Sequence, residues 1–104
     1  MKAYKLSILN DHGFEIESVY FKSLNQAKKQ FNYALKQKLR SEDIATDEEK
    51  IFWTYSNKDD VDLYYSKKVR KEVCVPFRRI YYTDCGLETD IVRIFIRLEN
   101  ITIL

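Results

Sequence analysis

The sequence predicts an α+β domain in which one long helix packs on one face of an antiparallel sheet of about five to six strands. Residues 23–40 carry apolar side chains at spacings of three and four, which is the period of a helix with one buried face. The segments on either side alternate apolar and polar residues, as half-buried strands do. A chain of 104 residues forms one domain, so residues 1–104 are expected to share a single core in the order β-β-α-β-β-β-β.

The first strand is predicted over residues 2–10, which alternate between a buried and a solvent-facing side. Lys5 and Ser7 are expected to face solvent. The buried side is expected to hold Tyr4, Leu6 and Ile8. Residues 11–13 then form a turn, because Gly13 can adopt a positive φ.

The second strand is predicted over residues 14–22 and returns along the first. Phe14 and Ile16 are expected to point inward, with the intervening glutamates outward. After Ser18 the alternation is lost, which a β-bulge near Ser18 or burial of both faces would explain.

Residues 23–40 are predicted as the only long helix. Ser23 can accept a hydrogen bond from the backbone of the first turn, and Gln26 can bond back to the N–H of Ser23, which makes a capping box. The apolar face comprises Leu24, Ala27, Phe31, Ala34, Leu35 and Leu39. The opposite face carries only basic charge, so the helix is amphipathic and needs a sheet to cover its apolar side.

Short strands are expected after the helix. Thr46 and Glu49 repeat the capping-box pattern, which predicts a short helical turn. Residues 51–55 and 61–65 alternate as strands and are predicted to form a second hairpin around a turn at residues 57–60.

The last part of the chain is predicted to form longer strands. Residues 67–75 begin as a basic bend and end as a strand, which lies at an edge or breaks at Pro76 because proline cannot donate to a sheet ladder. Residues 77–82 continue extended. After a turn at residues 83–86, residues 88–99 form the longest strand, and its two partly apolar faces indicate a position near the sheet centre.

The sequence offers few groups for catalysis. His12 is the only histidine, and a nucleophile at Cys85 would need it as a base. No zinc, calcium or phosphate-loop pattern is present in the sequence, so a non-enzymatic protein without metal or cofactor is expected. Cys74 and Cys85 are expected to be free thiols in a cytosol, with a bridge between neighbouring strands as the alternative.

Charge is strongly segregated along the chain. Residues 22–40 hold six lysines and arginines and no acid, residues 41–62 hold eight acids and two lysines, and residues 63–82 hold six bases and one acid. The net charge of the whole chain is only +2. Such segments either pair with one another on the protein's own surface or bind partners of opposite charge.

Two candidate binding surfaces follow from this segregation. The basic segments are expected to bind phosphates, with tyrosine stacking on bases; their residues are Lys28, Lys29, Lys36, Lys67, Lys68, Arg70, Lys71, Arg78, Arg79 and Tyr81. The acidic segment is expected to imitate a row of phosphates and occupy the cationic groove of a nucleic-acid enzyme; its residues are Glu42, Asp43, Asp47, Glu48, Glu49, Asp59, Asp60 and Asp62.

Residues 4–39, with a hairpin, the segment 21–27 and a lysine-rich helix, resemble the small proteins of phages and mobile elements, to which the anti-CRISPR proteins belong. The similarity covers about a third of the chain. Anti-CRISPR families share no common motif, so no functional residue is carried over. The resemblance implies a non-enzymatic, phage-encoded inhibitor that binds and blocks a host nucleic-acid-processing protein or ribonucleoprotein.

The expected function is therefore a cytoplasmic interaction module that occludes such a target through its charged segments. The alternative is a small nucleic-acid-binding protein that uses the basic helix face and residues 63–82. No apolar run approaches the roughly 20 residues that span a bilayer. Residues 1–5 do not begin a signal segment, so no membrane partner is expected. The oligomeric state is left open.

Overall fold

A computed structural model describes residues 2–54 and 69–102. The elements follow in the order β1 (Lys2–Leu9), β2 (Glu15–Phe21), α1 (Leu24–Leu39), β3 (Phe52–Thr54), β4 (Val69–Thr83) and β5 (Gly86–Thr102). The strands form one sheet in the order β2-β1-β5-β4-β3, with all neighbours antiparallel. The predicted α+β class is confirmed. The predicted strand at residues 61–65 and the turn at 57–60 lie outside the described residues.

The helix α1 covers one face of the sheet and contacts β1 and β5 most extensively. Ser23 caps it, since its Oγ accepts a hydrogen bond from the backbone N–H of Gln26 at 3.4 Å. Ala27 and Phe31 are completely buried. They pack in a core with Leu6, Val73, Val75, Ile96 and Leu98. Leu39, predicted on the same face, is 40% exposed because eight residues of helical rotation carry it about 80° away from Phe31.

β1 is buried on both faces, so the prediction that Ser7 faces solvent is wrong. Leu6 lies in the core beneath α1, yet Ser7 on the other face is also fully buried, as are Ala3 and Leu9. The reason is the position of β1 between β2 and β5, where a small side chain is flanked by neighbours on both sides.

β2 is an outer strand of the sheet and is exposed along almost its whole length. Phe14 and Ile16 were expected to point inward, but they are 69% and 58% exposed, so that prediction is wrong. The helix makes fewer contacts with β2 than with β1 or β5 and leaves it largely uncovered. The pairing with β1 shifts between Glu17 and Glu15, which places the extra residue at Ile16 rather than near Ser18.

β5 is the central strand, as its two apolar faces predicted. β4 continues through Pro76 without a break, and β3 pairs only with its residues 72–74. The carbonyl oxygen of Pro76 accepts a hydrogen bond from the N–H of Ala45 at 3.0 Å, on the side away from β5. The position that lacks an N–H therefore faces Ala45 and not β5, so the β4–β5 ladder loses no hydrogen bond there.

Residues 41–50 fold back along the free side of β4. The N–H of Arg78 donates to the carbonyl oxygen of Asp43 at 2.6 Å, and Ile44 forms a bridge with Phe77. The N–H groups of Glu48 and Glu49 both donate to the carbonyl oxygen of Ala45, at 3.0 and 2.9 Å. These bonds form one turn over residues 45–49, where the sequence predicted a short helical turn, but they start from the carbonyl of Ala45 and not from the predicted cap at Thr46.

β4 and β5 extend past their other partners as a hairpin arm, residues 79–90, in which described strand residues pair only with each other. Gly86 follows the two-residue turn with a φ of +112°. One face of the arm carries an ion pair between Arg79 and Asp90 at 3.1 Å. The other face is exposed and mostly apolar, with Ile80, Tyr82 and Leu87 beside Thr89.

Candidate interaction surfaces

The acidic segment is largely engaged by the chain's own arginines. Arg78 forms ion pairs with Asp47 and, at 3.4 Å, with Glu48. Its guanidinium also donates to the carbonyl oxygen of Ile44 at 3.2 Å. Arg93 pairs with Glu49 in the same way. The hydrogen bond from Arg78 lowers the pKa of Asp47, so this carboxylate is held in its charged form.

The remaining acidic candidates do not form a continuous row within the described residues. Glu42 and Asp43 are exposed and make no ion pair there. Asp59, Asp60 and Asp62 lie outside the described residues. Phosphate mimicry therefore stays a prediction, and three of its proposed carboxylates already have cationic partners.

The basic face of α1 has no such partners in the part of the chain that the structure describes. Lys28, Lys29 and Lys36 are exposed, and none makes an ion pair with another residue in 2–54 or 69–102. Lys29 and Lys36 lie on the solvent-facing side of the helix, because helical spacing turns them away from Gln30, Ala34 and Gln37, which face β2. Lys28 lies on the side of the helix towards β3, near Lys71.

Lys71 joins the second basic segment to this helix. Its ammonium group lies 4.3 Å from the ring centroid of Phe31 and 5.4 Å from that of Trp53. The two rings are 5.9 Å apart. Burial, and then the charge of Lys28, lower the pKa of Lys71. Trp53 is 42% exposed, so a cationic and aromatic surface lies at this side of the helix.

The other basic candidates do not join that surface. Arg78 binds acids, and Arg79 pairs with Asp90 while lying 5.4 Å over the ring of Tyr81. The hydroxyl of Tyr81 donates to Glu88 at 3.5 Å. Lys67 and Lys68 lie outside the described residues, and of Arg70 only the backbone within β4 is described.

A cleft of about 300 Å³ lies between α1 and the strands β1 and β2. Its wall comprises Leu6, Ile8, Glu17, Val19, Gln30, Tyr33, Ala34, Gln37 and Lys38. Val19 and Tyr33 are 52% and 59% exposed at its margin. The sequence did not reveal the cleft, because it depends on how far the helix is displaced from β2.

His12 and Cys85 cannot act as a catalytic pair in this fold. The N–H of Arg93 donates to the carboxylate of Asp11 at 3.3 Å, which places the turn that holds His12 beside Arg93. Cys85 lies at the tip of the arm, eight residues before Arg93 in the sequence. At about 3.3 Å per residue, His12 and Cys85 are therefore roughly 25 Å apart. Both cysteines are free thiols, Cys74 buried and Cys85 exposed.

Across residues 2–54 and 69–102, no group of three or more His, Cys, Asp and Glu side chains is arranged to hold a metal ion. No helix in that part of the chain has the length and apolar character needed to cross a bilayer. No protein-family model, curated protein or solved structure matches this chain.

Proposed function

We propose that the chain is a non-enzymatic interaction module that binds a protein partner through β2 and the adjoining cleft. One observation carries this proposal: the large apolar side chains along β2 and its preceding turn are more than half exposed. They are Phe14, Ile16, Val19 and Tyr20. Apolar side chains concentrated on one exposed strand are typical of an interaction site.

The resemblance to small phage-encoded inhibitors supplies the proposed class of partner. It is a host nucleic-acid-processing protein or ribonucleoprotein, and inhibition follows because the bound module occludes its working surface. Binding through β2 differs from the charge-based mechanism expected from the sequence, since three acids of that mechanism are bound by Arg78 and Arg93.

Affinity capture from the native host tests this proposal, with the full chain as bait and nuclease added to the lysate. We expect a protein partner to be retained by the unmodified chain and lost with the Ile16→Ser/Val19→Ser variant. The matched control is Ile80→Ser/Leu87→Ser, which removes equally exposed apolar side chains from the arm. Equal capture by both variants, or loss of capture after nuclease treatment, would contradict the proposal.

A second candidate function, nucleic-acid binding, is favoured by the surface of Lys28, Lys71 and Trp53. The two lysines supply positive charge, and the partly exposed indole of Trp53 lies beside them.

Fluorescence anisotropy with a labelled single-stranded oligonucleotide tests this second function. Each phosphate contact contributes about −0.7 to the slope of log affinity against log salt. Lys28→Gln should therefore reduce the slope by about that amount, whereas Lys50→Gln, which removes an exposed lysine from residues 41–50, should leave it unchanged. Binding that does not depend on salt would exclude this function.

A further inference from the structure

We propose that the outer face of α1 docks in the major groove of double-stranded DNA. This inference rests on the second candidate function, nucleic-acid binding, and deepens it, because it names the class of nucleic acid and the side chains that meet the bases. Three features support it: the residues along the outer face, the extent to which the helix protrudes from the sheet, and the cations at its flank.

One stripe along α1 holds only amide and ammonium side chains. Asn25, Lys29, Asn32 and Lys36 follow one another at spacings of four, three and four. They therefore lie within about 60° of one another around the helix axis, and we call this set the outer stripe. All of its residues are exposed, and none makes a side-chain hydrogen bond or an ion pair with another described residue. Their polar groups are available to a ligand outside the chain.

These side chains match the base edges that the major groove presents. An asparagine amide pairs with N6 and N7 of adenine, and a lysine donates to O6 and N7 of guanine. The helix contains four lysines and no acidic residue, so none of its own carboxylates repels the phosphates. The outer stripe has no apolar side chain either, and it offers little to the apolar core of a protein interface. Charge and side-chain chemistry together therefore favour DNA over an acidic protein.

The helix protrudes far enough from the sheet to enter a groove. Around its axis, exposed residues run from Lys28, on the side towards β3, to Gln30, on the side towards β2, which is an arc of about 200°. The major groove of B-form DNA is about 12 Å wide and admits an α-helix. The major groove of an RNA duplex is too narrow for side chains to read. A single strand is bound by stacking on aromatic side chains, which the outer stripe lacks.

Two cations lie at the flank of the helix, where the DNA backbone would run. Lys28 is exposed on the side towards β3, and the Lys71 ammonium group lies 4.3 Å from the ring centroid of Phe31. Burial, and then the charge of Lys28, lower the pKa of Lys71, so the two ammonium groups are close enough to repel. A phosphate bound beside them would offset that repulsion and fix the position of the helix in the groove.

Selection from short DNA duplexes with a randomised centre tests the inference with the full chain. We expect a sequence with adenine and guanine to be enriched, and the enriched duplex to bind about tenfold or more tightly than its separate strands or an RNA duplex of the same sequence. A lack of enrichment, or equal affinity for the duplex and its strands, would overturn the inference. Salt-dependent binding of single strands alone would do so while leaving the second candidate function intact, whereas binding to no nucleic acid would overturn both.

Base analogues test whether the contact is made in the major groove. Substitution of 7-deazaguanine and 7-deazaadenine in the enriched duplex removes the N7 acceptors of that groove and leaves the phosphates in place. We expect the affinity to fall about tenfold, with little change in its salt dependence. An unchanged affinity would overturn the inference, because the helix would then not contact the base edges. Displacement of the duplex by polyglutamate of equal charge would also overturn it, since any polyanion would then suffice.

The asparagines of the outer stripe are tested by Asn25→Ala/Asn32→Ala. Both positions are exposed and alanine favours a helix, so the variant keeps the fold and every charge. We expect it to lose the preference for the enriched duplex over a random one, and to bind the random duplex as the unmodified chain does. An unchanged preference would overturn the inference.

The lysines of the outer stripe are tested by two variants that remove equal charge. Lys29→Gln/Lys36→Gln should weaken binding of the enriched duplex about tenfold or more. Lys38→Gln/Lys50→Gln is the matched control, because Lys38 lines the cleft and Lys50 lies in residues 41–50, both away from the outer stripe. Salt screens charges at a distance from the DNA, so the control should have little effect. Equal weakening by the two variants would overturn the inference.

Discussion

The contact between Lys71 and Phe31 should contribute measurably to the stability of the fold. Phe31 is completely buried beneath α1, and the Lys71 ammonium group lies 4.3 Å from its ring centroid. Phe31→Leu keeps an apolar side chain at this site but removes the aromatic face. We expect it to lower the free energy of unfolding by about 1–2 kcal/mol through lost packing.

The cation–π contact can be isolated by a double-mutant cycle. Lys71→Met removes the charge and keeps a long side chain, so the cycle with Phe31→Leu isolates the interaction between the two groups. Because Lys71 is half-buried, its attraction to the ring should exceed that of a fully exposed pair, and we expect a coupling free energy of about 1 kcal/mol.

Urea unfolding followed by the fluorescence of the single tryptophan, Trp53, measures each variant of the cycle. Lys36→Met is the control for Lys71→Met, since Lys36 is an exposed helix residue away from Phe31, and its effect should add to that of Phe31→Leu. A coupling free energy below about 0.3 kcal/mol for Lys71 and Phe31 would refute the argument, because that is the scatter expected for independent sites.

Three further predictions concern the rest of the fold. Ellman's reagent should react quickly with exposed Cys85 and only after unfolding with Cys74, whose burial raises the pKa of its thiol to about 11; equal rates would contradict this. Gly86→Ala should lower the free energy of unfolding by about 1 kcal/mol in urea titration, because residue 86 has a φ of +112°; an unchanged midpoint would show that the turn can relax. Arg78 lowers the pKa of Asp47 below its ordinary 3.8, so this stabilisation is complete above that value and is lost as the pH falls through the folded pKa. Arg78→Gln should therefore weaken the dependence of the free energy of unfolding on pH in this acid range. It should also speed amide hydrogen exchange in residues 41–50; unchanged exchange would show that the ion pairs do not hold that segment.

The sequence predicted the elements whose burial is decided locally. The helix followed from the Ser23 cap and the spacing of residues such as Ala27 and Phe31, and both of these are buried as expected. The central position of β5 followed from its two apolar faces, because only a strand covered on both sides needs them.

The errors and omissions arise where burial depends on distant residues. β2 has apolar residues that the alternation rule assigns to the core, but α1 lies mainly over β1 and β5 and leaves them exposed. The contact of Lys71 with Trp53 depends on the register of β3 and β4. The ion pairs of Arg78 require the acidic segment to fold back on β4, which no local pattern indicates.

The length of the hairpin arm does not depend on the packing of the core, because its strands pair with each other. Since residues 79–90 have no other described strand partner, inserting two residues into each strand would extend the tip by roughly 7 Å and keep Ile80 and Tyr82 on the same face. Inserting one residue into each strand would instead exchange the apolar and charged faces beyond the insertion. Insertions into the arm therefore change the distance of the tip from the core. The number of residues added per strand, one or two, decides whether the apolar and charged faces exchange. The packing around Ile96 stays unchanged in both cases.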